Sequence, residues 1–458
     1  MFCEFCVAVR GHDRRVTGFR RELGLVDSVA VVAGGIVGVG IFANPSNVAR
    51  VVGDPVLILL VWALGGAVAL IGAFVWAELA SRYPHVGGQY VYLQRAYHPV
   101  VGFLYGIALL FIINGGSLAA VSILFASYID RSFVALGPAG VRVAAAAALV
   151  TLTAINAAGV RAGKRTNNLL MAAKVLGMVA LLVMAFGRRE PPASRFDVSR
   201  DAFAPASLRL VLTALVPILF AYGGWQSCAN IAAEIKNPAR NLPRASVLGV
   251  IVVVVLYLSL NFAYLWVLTP AQIAASPALA ADMARTAAGE AGARFVALLI
   301  VVSSLGFLAV VILTGARLIY AMASDRLFFA PAARLHPRYH TPVFALWFQA
   351  AVSLVLLTTN TYDQLLSYVV FADWLFFGLT AGALVIVRRR APAPAGEIAR
   401  MPGHPVTTFV FIAVAAGIVV NSFIAYPTQS LVGSGILCVA AMVFFLQRSA
   451  GRSGPRSD

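Results

Sequence analysis

The stretch GGIVGVGIFANP, Gly34 to Pro45, lies near the start of a long apolar run and places Gly34, Gly35, Gly38 and Gly40 where a membrane chain should be building helix. A mid-helix glycine costs about 0.5 to 1 kcal/mol relative to alanine. Something must compensate: either a second helix packs closely against this stretch, or the helix breaks. Gly34 and Gly38 by themselves form a GxxxG, the spacing that lets two membrane helices approach.

The surrounding chain sets the context. Of 458 residues, 60% are hydrophobic and 12% are charged, a composition outside the range of soluble domains. Apolar runs fall at 25–48, 56–80, 99–128, 141–158, 168–187, 208–233, 246–268, 293–322, 343–358, 364–387, 406–425 and 429–447. Most have the roughly 20 residues that a span requires. The fold class read from this pattern is an all-α polytopic membrane protein with twelve transmembrane helices.

The 35 Lys and Arg outnumber the 18 Asp and Glu, and the informative property is where they sit. Placing the N-terminus inside puts 23 of them on that side, in the N-terminal segment, alternate loops such as GVRAGKR and the tail, and 10 on the other. By the positive-inside rule both termini are cytoplasmic, so the basic balance reports topology and attraction to anionic lipid rather than a nucleic-acid partner. Cys3 and Cys6 form a CxxC without a second ligand pair, and Cys228 and Cys438 stand apart, so no disulfide framework or metal site is expected. The N-terminal segment lacks the short apolar core and small-residue cleavage site of a signal peptide.

A second glycine-interrupted span lies five spans after the first: FAYGGWQS, Phe220 to Ser227. Transporters built from inverted repeats carry a broken helix at equivalent positions in each half, with the substrate where the breaks meet. Tyr222 and Trp225 flank Gly223 and Gly224 with rings that close helix packing would not favour, which suits a ligand pocket better. The longest polar gaps, near 188–207 and 391–405, are proline-containing linkers rather than domains.

Several motifs carry a family resemblance: VGIF followed by NP in the first span, AELASRYPHVGGQYVYLQRAY after the second, FAYGGW in the sixth, AAEIKNPARNLPRA after it, and FADWLFFGLT in the tenth. In this order they resemble the amino acid-polyamine-organocation (APC) superfamily, and within it the L-type amino acid transporter (LAT) branch in its bacterial form. The resemblance runs from about Leu23 to Arg390; the last two spans match in character only. It implies a LeuT-like 5+5 inverted repeat with broken helices 1 and 6. The expected organisation is a cytoplasmic segment 1–23, a first repeat 24–187, an external linker 188–207, a second repeat 208–390, two further spans in 391–447 and a cytoplasmic tail 448–458.

The function so implied is alternating-access transport of amino acids, read as sodium-independent exchange or facilitated uptake of neutral L-amino acids. The alternatives are a proton-coupled symporter or a polyamine permease. The resemblance places the substrate at Ile36, Val37, Gly38, Val39 and Gly40 of the first break and at Phe220, Ala221, Tyr222, Gly223, Gly224 and Trp225 of the second. Val39 and Gly40 would face the carboxylate, while Ile36, Phe220, Ala221 and Gly223 would offer carbonyls to the ammonium. The physics agrees with that assignment, because a broken helix exposes amides at one end and carbonyls at the other, with partial charges of the matching signs. Many relatives have serine where this chain has Val39, so a side-chain contact to the carboxylate is absent here and the main-chain amide remains.

Two ionisable residues lie deep in spans. Lys174 sits about one and a half turns into the fifth, where a lysine costs roughly 2.5 to 3.5 kcal/mol on insertion scales; snorkelling to the headgroups is one way out. The resemblance implies another, in which its ammonium takes the place of a sodium ion between spans one, five and eight and touches carbonyls near Gly34 and Gly35. Asp373 in the tenth span reads equally as structural or as coupled to transport. Gln226, Thr314, Phe371 and Asp373 are further candidates for the pocket or its gate, and Glu78, Arg82 and Glu234 for ion pairs at the cytoplasmic ends.

Other function classes fit less well. A membrane-embedded enzyme would need catalytic residues at a shared depth, yet all six histidines fall in loops or at span ends and no HExxH motif occurs. A channel would show a repeated filter sequence. No cofactor or metal is expected, and the expected partners are an amino acid substrate and lipid. Eukaryotic members of the branch join a heavy subunit through a cysteine after the third span; YIDRSFVALGPAGVR has none, so no disulfide-linked subunit is expected, and the predicted location is a bacterial inner membrane.

Overall fold

The computed structural model describes residues 21–85, 87–187, 193–194, 196, 205–359, 362–390 and 399–450. These form a bundle of helices, and among the described residues the only β pairing is a single parallel bridge between Leu23 and Ile235. In chain order the main helices are α1 (Leu25–Ile36) and α2 (Gly40–Val52), α3 (Pro55–Arg82), α4 (Pro99–Ser132), α5 (Gly137–Ala157), α6 (Val160–Phe186), α7 (Pro205–Ala221), α8 (Pro238–Val267), α9 (Leu279–Ser324, two helical pieces that meet at a kink at Ala288 and Gly289), α10 (Val343–Thr359), α11 (Tyr362–Arg390), α12 (Val406–Ala425) and α13 (Pro427–Ala450). Among the described residues nine of the helices are long and apolar enough to cross a membrane; α1 and α2 qualify together as one bent pair, and Leu210–Ala221 and Val343–Thr358 are shorter apolar helices. Each of the twelve expected apolar runs coincides with one of these. The sixth run differs in detail, since its regular helix stops at Ala221 and only a four-residue helix, Ser227–Asn230, follows.

Local chemistry sets the helix ends. Asp54 caps α3 by accepting the Leu57 N–H at 2.8 Å, with Pro55 as the first helical residue, where a missing N–H costs nothing. His98 and Pro99 start α4 in the same way. Along α6 the residues Leu169, Leu176 and Val183 are exposed, and their seven-residue spacing makes one outward apolar stripe suited to lipid. Inside the bundle, α8 packs between α3 and α1, and α9 packs against α6.

At the end that bears the basic loops, buried carboxylates tie helices together. Glu78 pairs with Arg82 at 2.9 Å and with Arg388 of α11 at 2.5 Å, and accepts the Met401 N–H at 2.8 Å. Glu234 accepts from Arg317 Nε of α9 at 2.7 Å, both side chains fully buried. The Glu22 and Leu23 N–H groups donate to the Glu234 carbonyl at 3.0 Å, and Lys236 N–H donates back to Leu23. The chain before α1 is thereby joined to the segment after the sixth span.

Candidate functional site

The first break follows from its glycines. The helix α1 ends at Ile36, and Val37 and Gly38 close it with tight bonds to Ala33 and Ile36 carbonyls. At Gly40 α2 begins, bent by 43°. The N–H groups of Val39 and Gly40 find no partner among the described residues, as first-turn amides of a helix must unless a cap or ligand accepts them. The second break runs from Tyr222 to Gln226, with Gly224 at φ 123, a backbone conformation reserved to glycine.

The two breaks cross. A Cβ on Gly224 would stand 2.4 Å from the Gly35 carbonyl oxygen, and one on Gly40 would stand 2.9 Å from Cα of Ala221. Both expectations for the opening glycines therefore hold at once: the helix breaks, and its backbone packs closely, with the other break as the partner. Together they open a cavity with about 890 Å³ of space between atoms, its solvent-open part included.

Ile36, Gly38, Val39, Gly40, Phe220, Ala221, Gly223, Gly224, Gln226 and Asp373 line this cavity. The other candidates lie elsewhere. Val37 turns its carbonyl to Lys174. Tyr222 is buried against Trp62 and Tyr257, with its hydroxyl on the Trp62 carbonyl at 3.3 Å. Trp225 packs between Trp76 and Phe377. Trp225 follows the turn at Gly224, where the helical register has ended; Tyr222 is still in register, its N–H donating to the Ile218 carbonyl at 3.0 Å, and its ring points away from the cavity within that register. Thr314 bonds the Val310 carbonyl one turn beyond the last lining residue of α9, Val311. Phe371 meets Phe423 and Gly433 on the outer seam of α11; two residues from Asp373, it falls on the opposite helix face.

Lys174 is wholly buried and does not snorkel. Its ammonium donates to the Val37 carbonyl at 2.6 Å and to Gly34 at 3.4 Å, so Val37 stands where Gly35 was expected. Its stem lies against Gly306 of α9, and the Ser303 hydroxyl of that helix donates to the Gly38 carbonyl at 3.4 Å. The lysine thus joins spans one, five and eight, replacing the hydrogen bonds that the broken end of α1 lost.

Several site residues went unread in the sequence. Tyr257 of α8 donates its hydroxyl between the Ile36 carbonyl at 3.1 Å and the Ala221 carbonyl at 3.3 Å, one from each break. Asn114, the last residue of a wide π turn at Leu109–Asn114, and Ser117 beyond it line the cavity from α4; such a turn is a helix irregularity frequent at functional sites. Trp374 and Phe377 of α11 and Phe307 of α9 complete the walls. The signal for Asn114 was a polar side chain within an apolar span; nothing distinguished Tyr257 from a packing aromatic. Among the described residues no three His, Cys, Asp or Glu side chains come together.

A family model described as amino acid permease matches residues 23–446. The chain belongs to the amino acid permease family. Its relatives lie within the LAT branch of the APC superfamily, as the motifs implied. The mouse b(0,+)-type amino acid transporter 1 is 30% identical over 384 residues, 82% of this chain and 78% of the relative. The human b(0,+)-type amino acid transporter 1 is 28% identical over 444 residues, 96% and 90% of the two chains. The rat large neutral amino acids transporter small subunit 2 is 28% identical over 438 residues, 93% and 80%. The chain is a multi-pass membrane transporter, its first and sixth spans broken around one cavity.

Proposed function

We propose that the chain moves amino acids across a bacterial inner membrane by alternating access, as sodium-independent exchange or facilitated uptake of neutral L-amino acids. The observation that carries this reading is the crossing of two broken spans around one cavity, with unpartnered amides of Val39 and Gly40 on one side and the carbonyls of Ile36 and Ala221 on the other. A zwitterion matches both poles. The substrate carboxylate accepts from the α2 amides, where the helix dipole also favours it. The ammonium donates to the break carbonyls and displaces the Tyr257 hydroxyl from at least one of them. Main-chain groups unpaired in a bilayer cost several kcal/mol each, so a ligand that pairs them binds well without large side-chain contacts. Ile113, Val121, Phe307, Val311 and Val369 give the cavity apolar walls for a neutral side chain.

Sodium independence rests on Lys174, whose amine occupies the carbonyls a coupling cation would need. The two repeats are assigned to 24–187 and 208–390, with both termini cytoplasmic. The Glu78 and Glu234 ion pairs then close the inward side and part when the cavity opens there. No disulfide-linked subunit is required, since the loop after the third span has no cysteine.

The test is uptake of a labelled amino acid panel into reconstituted liposomes, with sodium, pH gradient and internal amino acid varied independently. Uptake that depends on internal amino acid supports exchange. Strict sodium dependence removes the role given to Lys174, dependence on the proton gradient replaces exchange with symport, and a panel with no transported member overturns the reading.

A further inference from the structure

The α4 wall of the cavity carries a polar side chain, Asn114, between the apolar Ile113 and Val121. Behind it, on α10, lies a second amide. Gln349 is buried to 1% exposure, and neither its amide oxygen nor its amide nitrogen has a hydrogen-bond partner among the described residues. The Ser353 hydroxyl one turn on is committed to the main-chain carbonyl of Gln349 at 3.0 Å, so it does not serve the amide. A primary amide left unpaired at this depth is costly, and a glutamine so buried in an apolar helix needs a reason.

The reason lies across α9. A Cβ on Gly315 would stand 2.1 Å from the Gln349 amide oxygen and 2.1 Å from the Asn114 amide nitrogen. Both atoms therefore crowd one point on the surface of α9, at most twice that distance apart, with an acceptor from α10 facing a donor from α4. A small rotation of either amide closes a direct hydrogen bond between them. Any larger residue at 315 would stand in the way. Asn114 ends the π turn and lines the substrate cavity, whereas Gln349 does not line it. An asparagine on a cavity wall reads a substrate well only when its amide is held in one plane, since a free rotor must be ordered each time a substrate binds. Gln349 is placed to hold it.

We infer that Gln349 is a positioning residue for substrate discrimination: acting through Asn114, across Gly315, it sets how strongly the α4 wall distinguishes a polar side chain from an apolar one of similar shape. The inference deepens the proposed function and rests on it, because the break amides and carbonyls hold the zwitterion and leave the side chain to the walls. Gln349 touches no substrate. With its amide removed, Asn114 rotates freely, and a polar side chain loses the advantage that a fixed partner gave it.

The experiment is competition against uptake of labelled L-leucine in liposomes that hold the full chain, with three shape-matched pairs: L-threonine and L-valine, L-glutamine and L-methionine, L-tyrosine and L-phenylalanine. For each pair the ratio of the two inhibition constants is read on one preparation, which removes differences in folded fraction. In Gln349→Met the polar member of at least one pair should weaken relative to its apolar partner by roughly 3- to 10-fold, the range of one neutral hydrogen bond. Gln349→Glu, whose neutral carboxyl keeps a donor and an acceptor at the same reach, should retain the unmodified ratio. Combined with Asn114→Leu, Gln349→Met should move no ratio further. Ratios unmoved by Gln349→Met overturn the inference, even where uptake as a whole declines, and so does a shift that persists in the Asn114→Leu background. Should Gln349→Met fail to insert, Gly315→Ala decides in its place, since its Cβ wedges between the two amides with Gln349 intact. Absence of any amino acid uptake by the unmodified chain would instead overturn the proposed function, so the two failures remain distinct.

Discussion

Gly224→Ala is the sharpest perturbation of the crossed breaks. The added Cβ would lie 2.4 Å from the Gly35 carbonyl oxygen, 2.6 Å from its carbon and 2.9 Å from the Ile36 nitrogen. All three are main-chain atoms, and no rotamer relieves the clash. Ordinary contact starts near 3.4 Å, so the two breaks must separate by about 1 Å. Overpacking of this sort costs roughly 1 to 3 kcal/mol, and a non-glycine residue at φ 123 adds about 1 to 3 kcal/mol of backbone strain. A displacement near 1 Å in a positioning element can lower turnover about 100-fold, so uptake should fall by roughly that factor or more while some protein still inserts. Two controls separate crowding from strain. Gly289→Ala sits at φ 69 with open space around it, so it carries strain alone; Gly417→Ala has open space in a regular helix and should be silent. Liposome uptake and thermal stability in detergent, measured on all three variants, give the comparison. If Gly224→Ala transports like the unmodified chain, the breaks are not in the contact described and the site lies elsewhere.

Other substitutions test single links. Lys174→Met keeps the stem against Gly306 but removes the donor to Val37 and Gly34; a lost charge-assisted hydrogen bond of about 1.5 to 3 kcal/mol should raise the uptake KM roughly 10-fold or more, and an unchanged KM contradicts its role in holding the break. Tyr257→Phe deletes the hydroxyl shared by Ile36 and Ala221, which should destabilise the empty carrier by about 1 kcal/mol. A detergent melting point that does not fall would show the bridge to be idle. Val39→Ser restores a hydroxyl beside the free α2 amides, and because Val39 has helical φ and ψ (−85° and −14°) rather than the extended backbone of a usual cap, the hydroxyl stays free for the substrate. Uptake should then show a KM lowered several-fold, and an unchanged or higher KM would place the carboxylate away from Val39.

What could be read in advance divides along a physical line. Helix breaks are legible because glycine is costly in a helix, and two glycine-bearing spans five apart have few explanations other than paired discontinuities. Lys174 was legible for the same kind of reason: a charge at that depth demands a partner. Side-chain direction near the breaks was not legible, since periodicity predicts facing only where the helix continues. Trp225, beyond the break, therefore turns away from the cavity it flanks in sequence. Phe371 is a different case, because α11 is regular there and two residues of separation from Asp373 already place the pair on opposite faces. The wall formed by Asn114 depends on the π turn of α4, which shifts register by one residue and leaves no compositional trace.

The breaks and the polar wall answer different questions about a substrate, and this separation has a consequence for specificity. In the proposed function main-chain amides and carbonyls recognise what every amino acid shares, and the observed contacts leave no room for a Cβ at Gly40 or Gly224. The faces of α4 and α11 meet what differs between amino acids, and their side chains can change without disturbing the crossing. If the proposed function holds, a carrier built this way alters its preference by substitution on the α4 and α11 walls while keeping the zwitterion site intact. It cannot tolerate a similar change at either break, because there the backbone itself is the ligand.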